Sequence, residues 1–538
     1  MSFLNLSKKD WLFILSLLVL VLIVYGRSLV GGFVFDDRNI LENKGLFSSL
    51  SNIGQIVMHP FWSIESGLYR PISLLSYTFN FIFLGQGPFG FHFINLILYF
   101  FVGSLIYLFI KRVWKNEYLA FFTSILFLLL PIHTEVVANI AGRTEILALF
   151  FSLLTLLEFT STKEVNFWRA GIWTFLAIGS KETAIAIVPI ILIYLYVKEG
   201  KINLEMLNKY FKSISGVVIG ICFYLFLRFF SLGPAHFLGV KTSLIENPLI
   251  FTDTLSRIYT SFKILWIYIS KMFWPINLCS DYSYNQIPIV SNFFNFGTII
   301  GFLSLTTAVI LIFVYIHKKP IISFAMSIFV FSFLPVSNIL FPIGTIAGER
   351  LLFFPSLGIS ILVTFLLFQL FKIIKNKNIK IILLSIFILI LSIYGIISIK
   401  REGVWLNEEN LFRSASKCAP NSVLSRSNSG AMYLLSGDLE KAQEELEFAR
   451  NIKPIYSKGL NNLGLVYFRN KEYDKAIELY HEAIRQDFPY SGAFENLILL
   501  YLDQGNMKMA KHWLMYLYPQ NESEIDLLIK NYSEENKK

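Results

Sequence analysis

The chain has 538 residues, of which 55% are apolar and only 16% charged, and its mean hydropathy is +0.58. A soluble protein of this length would not be so oily, so the composition is that of a polytopic membrane protein. The formal charge of +10 could serve nucleic acid, but Lys and Arg cluster between apolar runs, where they set topology, and no nucleic-acid partner is expected.

The first apolar run follows Lys8 and Lys9, as in a signal peptide, yet "YGRSLVGG" has no small-x-small cleavage site. An uncleaved first transmembrane helix is expected. It ends at "GGFVFDDRNI", where Asp36 and Asp37 stand side by side. Further runs begin near Phe91, Tyr118, Thr144, Phe167, Thr183, Ser213, Phe296, Pro320, Leu351 and Ile379, giving about eleven helices at about 20 residues each. With the N-terminus cytoplasmic, the basic connectors "KRVWK", "STKEVNFWR", "KEGKINLEMLNKYFK", "HKKP" and "FKIIKNKNIK" all become cytoplasmic, as the positive-inside rule requires. The C-terminus then lies outside. "RIYTSFKILWIYISKMFWP", residues 257–275, is apolar enough to span but is interrupted by Lys263 and Lys271. Counting it would reverse the later basic connectors, so an interfacial or re-entrant helix is expected there.

After Ile399 the composition turns polar and a repeat appears. Tyr433, Tyr467 and Tyr501 are spaced by 34 residues, as are Ala442, Ala476 and Ala510; this is the tetratricopeptide period. The middle repeat fits best, and in the third Ile498 stands where the others have Gly430 and Gly464. The expected architecture is all-α: a polytopic helical bundle over 1–400, a linker over 401–422, about three tetratricopeptide repeats forming an α-solenoid over 423–520, and a polar tail over 521–538.

With this topology the unusual polar residues share the outer face. Asp36, Asp37 and Arg70 belong to the first outer loop, and "PIHTEVVANIAGRTE" supplies His133, Glu135, Arg143 and Glu145. "SKET" adds Lys181 and Glu182, "NLCSDYSYNQIP" adds Asp281, and "AGERLLFFPSLG" adds Glu349 and Arg350. Any one of these could be a helix cap or a structural ion pair. Together they suit transfer from a lipid-phosphate donor: a carboxylate deprotonates the acceptor hydroxyl while Arg and Lys stabilise the departing phosphate. The acid pair supplies the candidate catalytic residues, Asp36 as base and Asp37 as orienting group or metal ligand, since adjacent side chains of an extended loop point apart. A divalent metal is left open, because His133 and Glu135 have no third ligand at a local spacing. No Walker or Rossmann glycine motif indicates a nucleotide donor.

"FVFDD", "YRPISLLSYTFNF", "GPFGFHFINLILY", "HTEVVANIAGRTEILALFF", "SKET", "DYSY" and "ERLLFFPSLG", followed by the repeats, resemble the transmembrane-and-TPR-containing O-mannosyltransferase family and its bacterial relatives. That resemblance implies a GT-C fold, a polyprenyl-phosphate-linked sugar as donor, inversion at the anomeric carbon and a catalytic acid at Asp36 or Asp37. Animal members carry longer repeat arrays. The short array and the Ile, Lys, Asn and Phe usage point to a bacterial inner membrane, with active site and repeats extracytoplasmic; in a eukaryote the site would be lumenal in the endoplasmic reticulum. Asn428, Asn462 and Asn496 also recur at 34 residues, and a ladder of carboxamides can hold a peptide backbone. Bonds between adjacent repeats are the plainer use for them. The rival functions are a GT-C enzyme acting on an envelope glycan or lipid with the repeats docking a partner, and a non-enzymatic scaffold or transporter.

Overall fold

A computed structural model describes residues 6–161, 166–201, 203–237, 242–452, 456–486, 491–519, 521, 524–527 and 529. Among them there is no strand, so the fold is all-α, as expected. Most of the polar tail expected at 521–538 lies outside the described residues.

Among the described residues, seven helices are long and apolar enough to cross a membrane: Lys8–Val30, Pro88–Trp114, Ile140–Phe159, Asn208–His236, Phe296–Tyr315, Glu349–Ile373 and Lys377–Leu406. The pair Glu117–Leu129 and Pro131–Ala138, bent by 56°, makes an eighth if it is one broken span. The chain is therefore an integral membrane protein, but the expected count of about eleven is not confirmed. The shortfall has a physical cause. Phe167–Ser180, Ile187–Glu199 and Pro320–Phe333 hold only 14, 13 and 14 residues, roughly 20 Å at 1.5 Å per residue against a hydrocarbon core of about 30 Å. Each adjoins a 3-10 turn, Glu182–Ala186 or Leu334–Val336, so polar motifs and prolines break what reads as continuous apolar sequence. Residues 257–275 fall largely in the helix Thr254–Phe273, which is not among the seven. Asp253 starts it by accepting from the N–H groups of Leu255 and Ser256.

The chain divides into two compact units, one of Met1–Ser243, Asn247–Ser280 and Pro288–Leu411, the other of Leu244–Glu246, Asp281–Ile287 and Phe412–Lys538. In the first, the segment between the first helix and Pro71 folds into short helical turns. It buries Ile40, Phe47, Ile56 and Phe61 against Leu74, Tyr77 and Phe81 of the helix Pro71–Phe83 and against Phe91. This apolar seat fixes the loop that carries the acid pair. Elsewhere Ile381, Ile382, Ile386, Leu389 and Ile393 of Lys377–Glu402 are exposed, as a lipid-facing helix requires.

The second unit holds three helical pairs: Val423–Leu435 with Leu439–Asn451, Ser457–Arg469 with Tyr473–Gln486, and Ser491–Asp503 with Met507–Leu517. Ala442, Ala476 and Ala510 are all fully buried. At Gly464 an added Cβ would stand 2.6 Å from Cε1 of Tyr480, so the middle pair packs closely over its glycine. The segment 401–422, expected as a linker, is helical over most of its length, with a 3-10 turn at Gly403–Leu406 and the helix Glu408–Cys418. Burial of Trp405 and Leu411 accounts for that order.

Candidate active site

Phe35–Asp37 is a single 3-10 turn, in which neighbouring side chains point about 120° apart. Asp37 points inward and is fully buried. Its carboxylate accepts from the backbone N–H groups of Val34 (3.1 Å), Ala141 (2.8 Å) and Ile140 (3.4 Å), tying the first loop to the Ile140–Gly142 turn. Burial pushes the Asp37 carboxyl up to about 7, against the pull of the Ala141 and Val34 donors. Asp36 is half-buried, and its charge acts on Arg350. Phe35, just before it, has φ 54°, a left-handed conformation that costs a bulky residue about 1–3 kcal/mol and persists only where surrounding bonds impose it. Asp37's three bonds do so. The turn it grips also needs Gly142, where a Cβ would stand 2.2 Å from the Val136 carbonyl oxygen.

Around this pair, the remaining residues fall into two groups. Glu135 accepts from the backbone N–H of Arg350 (3.0 Å) and from its Nη1 (2.5 Å), and about a quarter of the Arg350 side chain stays exposed. Arg70 forks onto Glu182 through Nε (2.9 Å) and Nη2 (3.2 Å), with its guanidinium 4.8 Å from the Phe61 ring centre. Lys181 pairs with Glu145, both almost fully buried. The charge of Glu145 also reaches Arg70 and Arg350, and Lys181 feels both arginines. Asp36, Arg70, Glu135, Glu145, Lys181, Glu182 and Arg350 therefore form one electrostatic cluster of alternating sign, with Asp36, Arg70, Glu182 and Arg350 at its accessible edge.

The second group holds the frame. Arg143 is fully buried, donating from Nε to Asn95 Oδ1 (2.7 Å), from Nη1 to the Ser76 carbonyl (3.1 Å) and Asn80 Oδ1 (2.5 Å), and from Nη2 to the Phe91 carbonyl (2.8 Å). His133 is buried between Tyr99 and Ser356, 3.0 and 2.8 Å from their hydroxyls. Glu349 is buried and accepts from the Cys279 N–H (2.6 Å). Asp281 groups with the second unit. There it accepts from the hydroxyls of Ser283, Ser422 and Ser425 at the start of the first repeat helix. In the repeats Asn496 Nδ2 donates to Asn461 Oδ1 (2.9 Å), a bond between adjacent repeats, whereas Asn428 and Asn462 are half-buried and bond no side chain among the described residues.

Among the described residues no group of three or more His, Cys, Asp or Glu side chains is placed to hold a metal ion. The acids of the cluster face cations of the protein instead. Sequence reasoning passed over Asn80 and Asn95, the buried amides that hold Arg143. Amides inside apolar helical runs were the available signal.

The model for the protein O-mannosyl-transferase TMTC family, DUF1736, matches residues 241–309, and the tetratricopeptide repeat model matches 457–487. The chain is 27% identical to the Caenorhabditis elegans protein O-mannosyl-transferase F38B6.6 over 82% of this chain and 63% of that protein. It is 27% identical to human protein O-mannosyl-transferase TMTC1 over 82% and 55%, and 26% identical to mouse TMTC3 over 82% and 51%. The chain spans between about half and two thirds of the length of these curated relatives. The resemblance to the TMTC O-mannosyltransferases thus extends over most of the chain.

Proposed function

We propose that the chain is a membrane glycosyltransferase that moves a sugar from a polyprenyl phosphate to a hydroxyl of a protein acceptor on the extracytoplasmic side of its membrane. Mannose is the sugar that the relatives' names support, and a bacterial inner membrane with a cytoplasmic N-terminus suits the composition and the basic connectors. The observation that carries the reading is the split of the acid pair: Asp36 stands at the edge of a cationic cluster while Asp37 is wholly spent on backbone donors.

Asp36 takes the proton of the acceptor hydroxyl as that oxygen bonds to the anomeric carbon. The bond from that carbon to the phosphate oxygen breaks, and the polyprenyl phosphate leaves with the electron pair. Arg350 and Arg70 meet the phosphate through donors not given to Glu135 or Glu182, with Lys181 behind them. Attack opposite the leaving phosphate inverts the anomeric centre. Asp37 orients the turn and takes no proton from the acceptor.

The test is transfer of radiolabelled mannose from polyprenyl-phosphate mannose by purified protein. Asp36→Asn is expected to lower turnover by about 10²–10⁴-fold, the usual contribution of a positioned base, with unchanged thermal stability. Near-parental turnover in Asp36→Asn would remove the assignment.

A further inference from the structure

Two buried donors beside the acid pair have no hydrogen-bond partner among the described residues. Tyr77, on Pro71–Phe83, is fully buried, and among the described residues its hydroxyl makes no hydrogen bond. One turn further along, Asn80 is fully buried too; its Oδ1 accepts from Arg143, but its Nδ2 is unpartnered. A buried donor left unmade costs about 1–3 kcal/mol, and such groups are rare enough in folded proteins to need a reason. Packing explains the Tyr77 ring, which lies 6.4 Å from Phe47 and 6.2 Å from Phe91, with the Arg143 guanidinium 5.1 Å from its centre. A phenylalanine would fill that place equally well, so packing does not explain the hydroxyl. The charges acting on it are those of Arg143, Asp37, Arg70 and Asp36, the last two lying at the accessible edge of the cluster.

We infer that Tyr77 and Asn80 form a subsite that reads a hydroxyl of the donor sugar, with the phenol and the carboxamide donating to it. The inference rests on the transferase reading, and it adds a sugar-recognising element distinct from the groups that meet the phosphate. An unmet hydroxyl and amide suit a polyol. They contribute nothing to a lipid phosphate that carries no sugar, and an enclosed water is the competing occupant.

Binding separates these cases without requiring turnover. The affinities of polyprenyl-phosphate mannose and of sugar-free polyprenyl phosphate are measured on the detergent-solubilised full chain, parent and Tyr77→Phe. Tyr77→Phe keeps the ring and removes only an unpaired hydroxyl, so its stability without ligand is expected to equal or exceed the parent's. Its affinity for the mannose-bearing lipid is expected to fall about 3- to 10-fold, the worth of one hydrogen bond, with the sugar-free lipid bound as tightly as before. Equal affinities of parent and variant for both lipids, or equal losses for both, would overturn the subsite and leave Tyr77 to an enclosed water. If the sugar-selective loss is seen but the parent transfers no mannose, the subsite stands and the transferase reading fails. If the parent binds neither lipid, both fail.

Discussion

In the repeat unit, Ala442, Ala476 and Ala510 recur every 34 residues and all are fully buried. In the membrane unit, the four groups that hold Arg143 come from residues 76 and 80 of one helix and 91 and 95 of the next, one turn apart on each and with no 34-residue spacing among them. Repetition lets a solenoid solve one packing problem several times, so an error in one copy is local. A buried cation in a membrane has one solution, assembled from several helices, and removing any part leaves polar atoms stranded where water cannot follow. The two halves should therefore fail differently when broken.

The largest effect is expected at Arg143. Arg143→Leu strands Asn80 Oδ1 and Asn95 Oδ1 and takes a second donor from the Ser76 and Phe91 helix carbonyls, a loss of about 3–5 kcal/mol by analogy with a broken buried pair. Little monodisperse protein should survive size-exclusion chromatography in detergent. Recovery at the parental level would show that the frame does not need its cation. A smaller loss is expected at Gly464: in Gly464→Ala the new methyl meets Tyr480, and overpacking of this kind costs about 1–3 kcal/mol. Partial proteolysis of the full chain should then cut the repeats sooner while cutting of residues 1–400 is unchanged. Asn428→Ala and Asn462→Ala serve as controls with little effect.

The third test sharpens the contrast by pH. The Asp37 carboxyl is raised to about 7 in the folded chain from an ordinary value near 3.8, so between about pH 4 and pH 7 the folded state binds the extra proton. Its contribution to stability is full below pH 4, falls as pH rises through that window, and is level above it. Parental melting temperature should decline from pH 4 to pH 7 and Asp37→Asn should flatten that decline; parallel curves would assign the titration to another group.

Much of the fold was legible because its signals are local. The 34-residue spacing yields the helical pairs directly, and the apolar runs yield helices. Span length was not legible, since Lys181–Glu182 and Pro335 end or shorten helices that hydropathy carries straight through. The charged residues of the cluster could be named from sequence, but not sorted. Arg143 and Arg350 look alike on paper, yet one is spent on amides and carbonyls and the other keeps part of its guanidinium at the edge. Nothing local distinguishes them, because their partners lie 48 to 67 residues away for Arg143 and 215 away for Arg350. Asn496 lies off the expected ladder for a related reason: the neighbouring Asn461, out of phase with the repeat, captures it.

The backbone bonds that flank the acid pair act as a ruler. The Gly31 N–H donates to the Ser28 carbonyl, the Gly32 N–H donates to the Leu406 carbonyl, and Asp37 closes on Val34 and Ala141. Between these two anchors only Phe33 and the strained Phe35 are left to set which acid turns inward. Inserting or deleting a single residue there would rotate the turn by a third of a revolution and exchange the sheltered and the accessible carboxylate without changing composition. Which of the two acids is sheltered is thus a matter of chain length counted from Gly32, and the left-handed Phe35 is where that count is enforced.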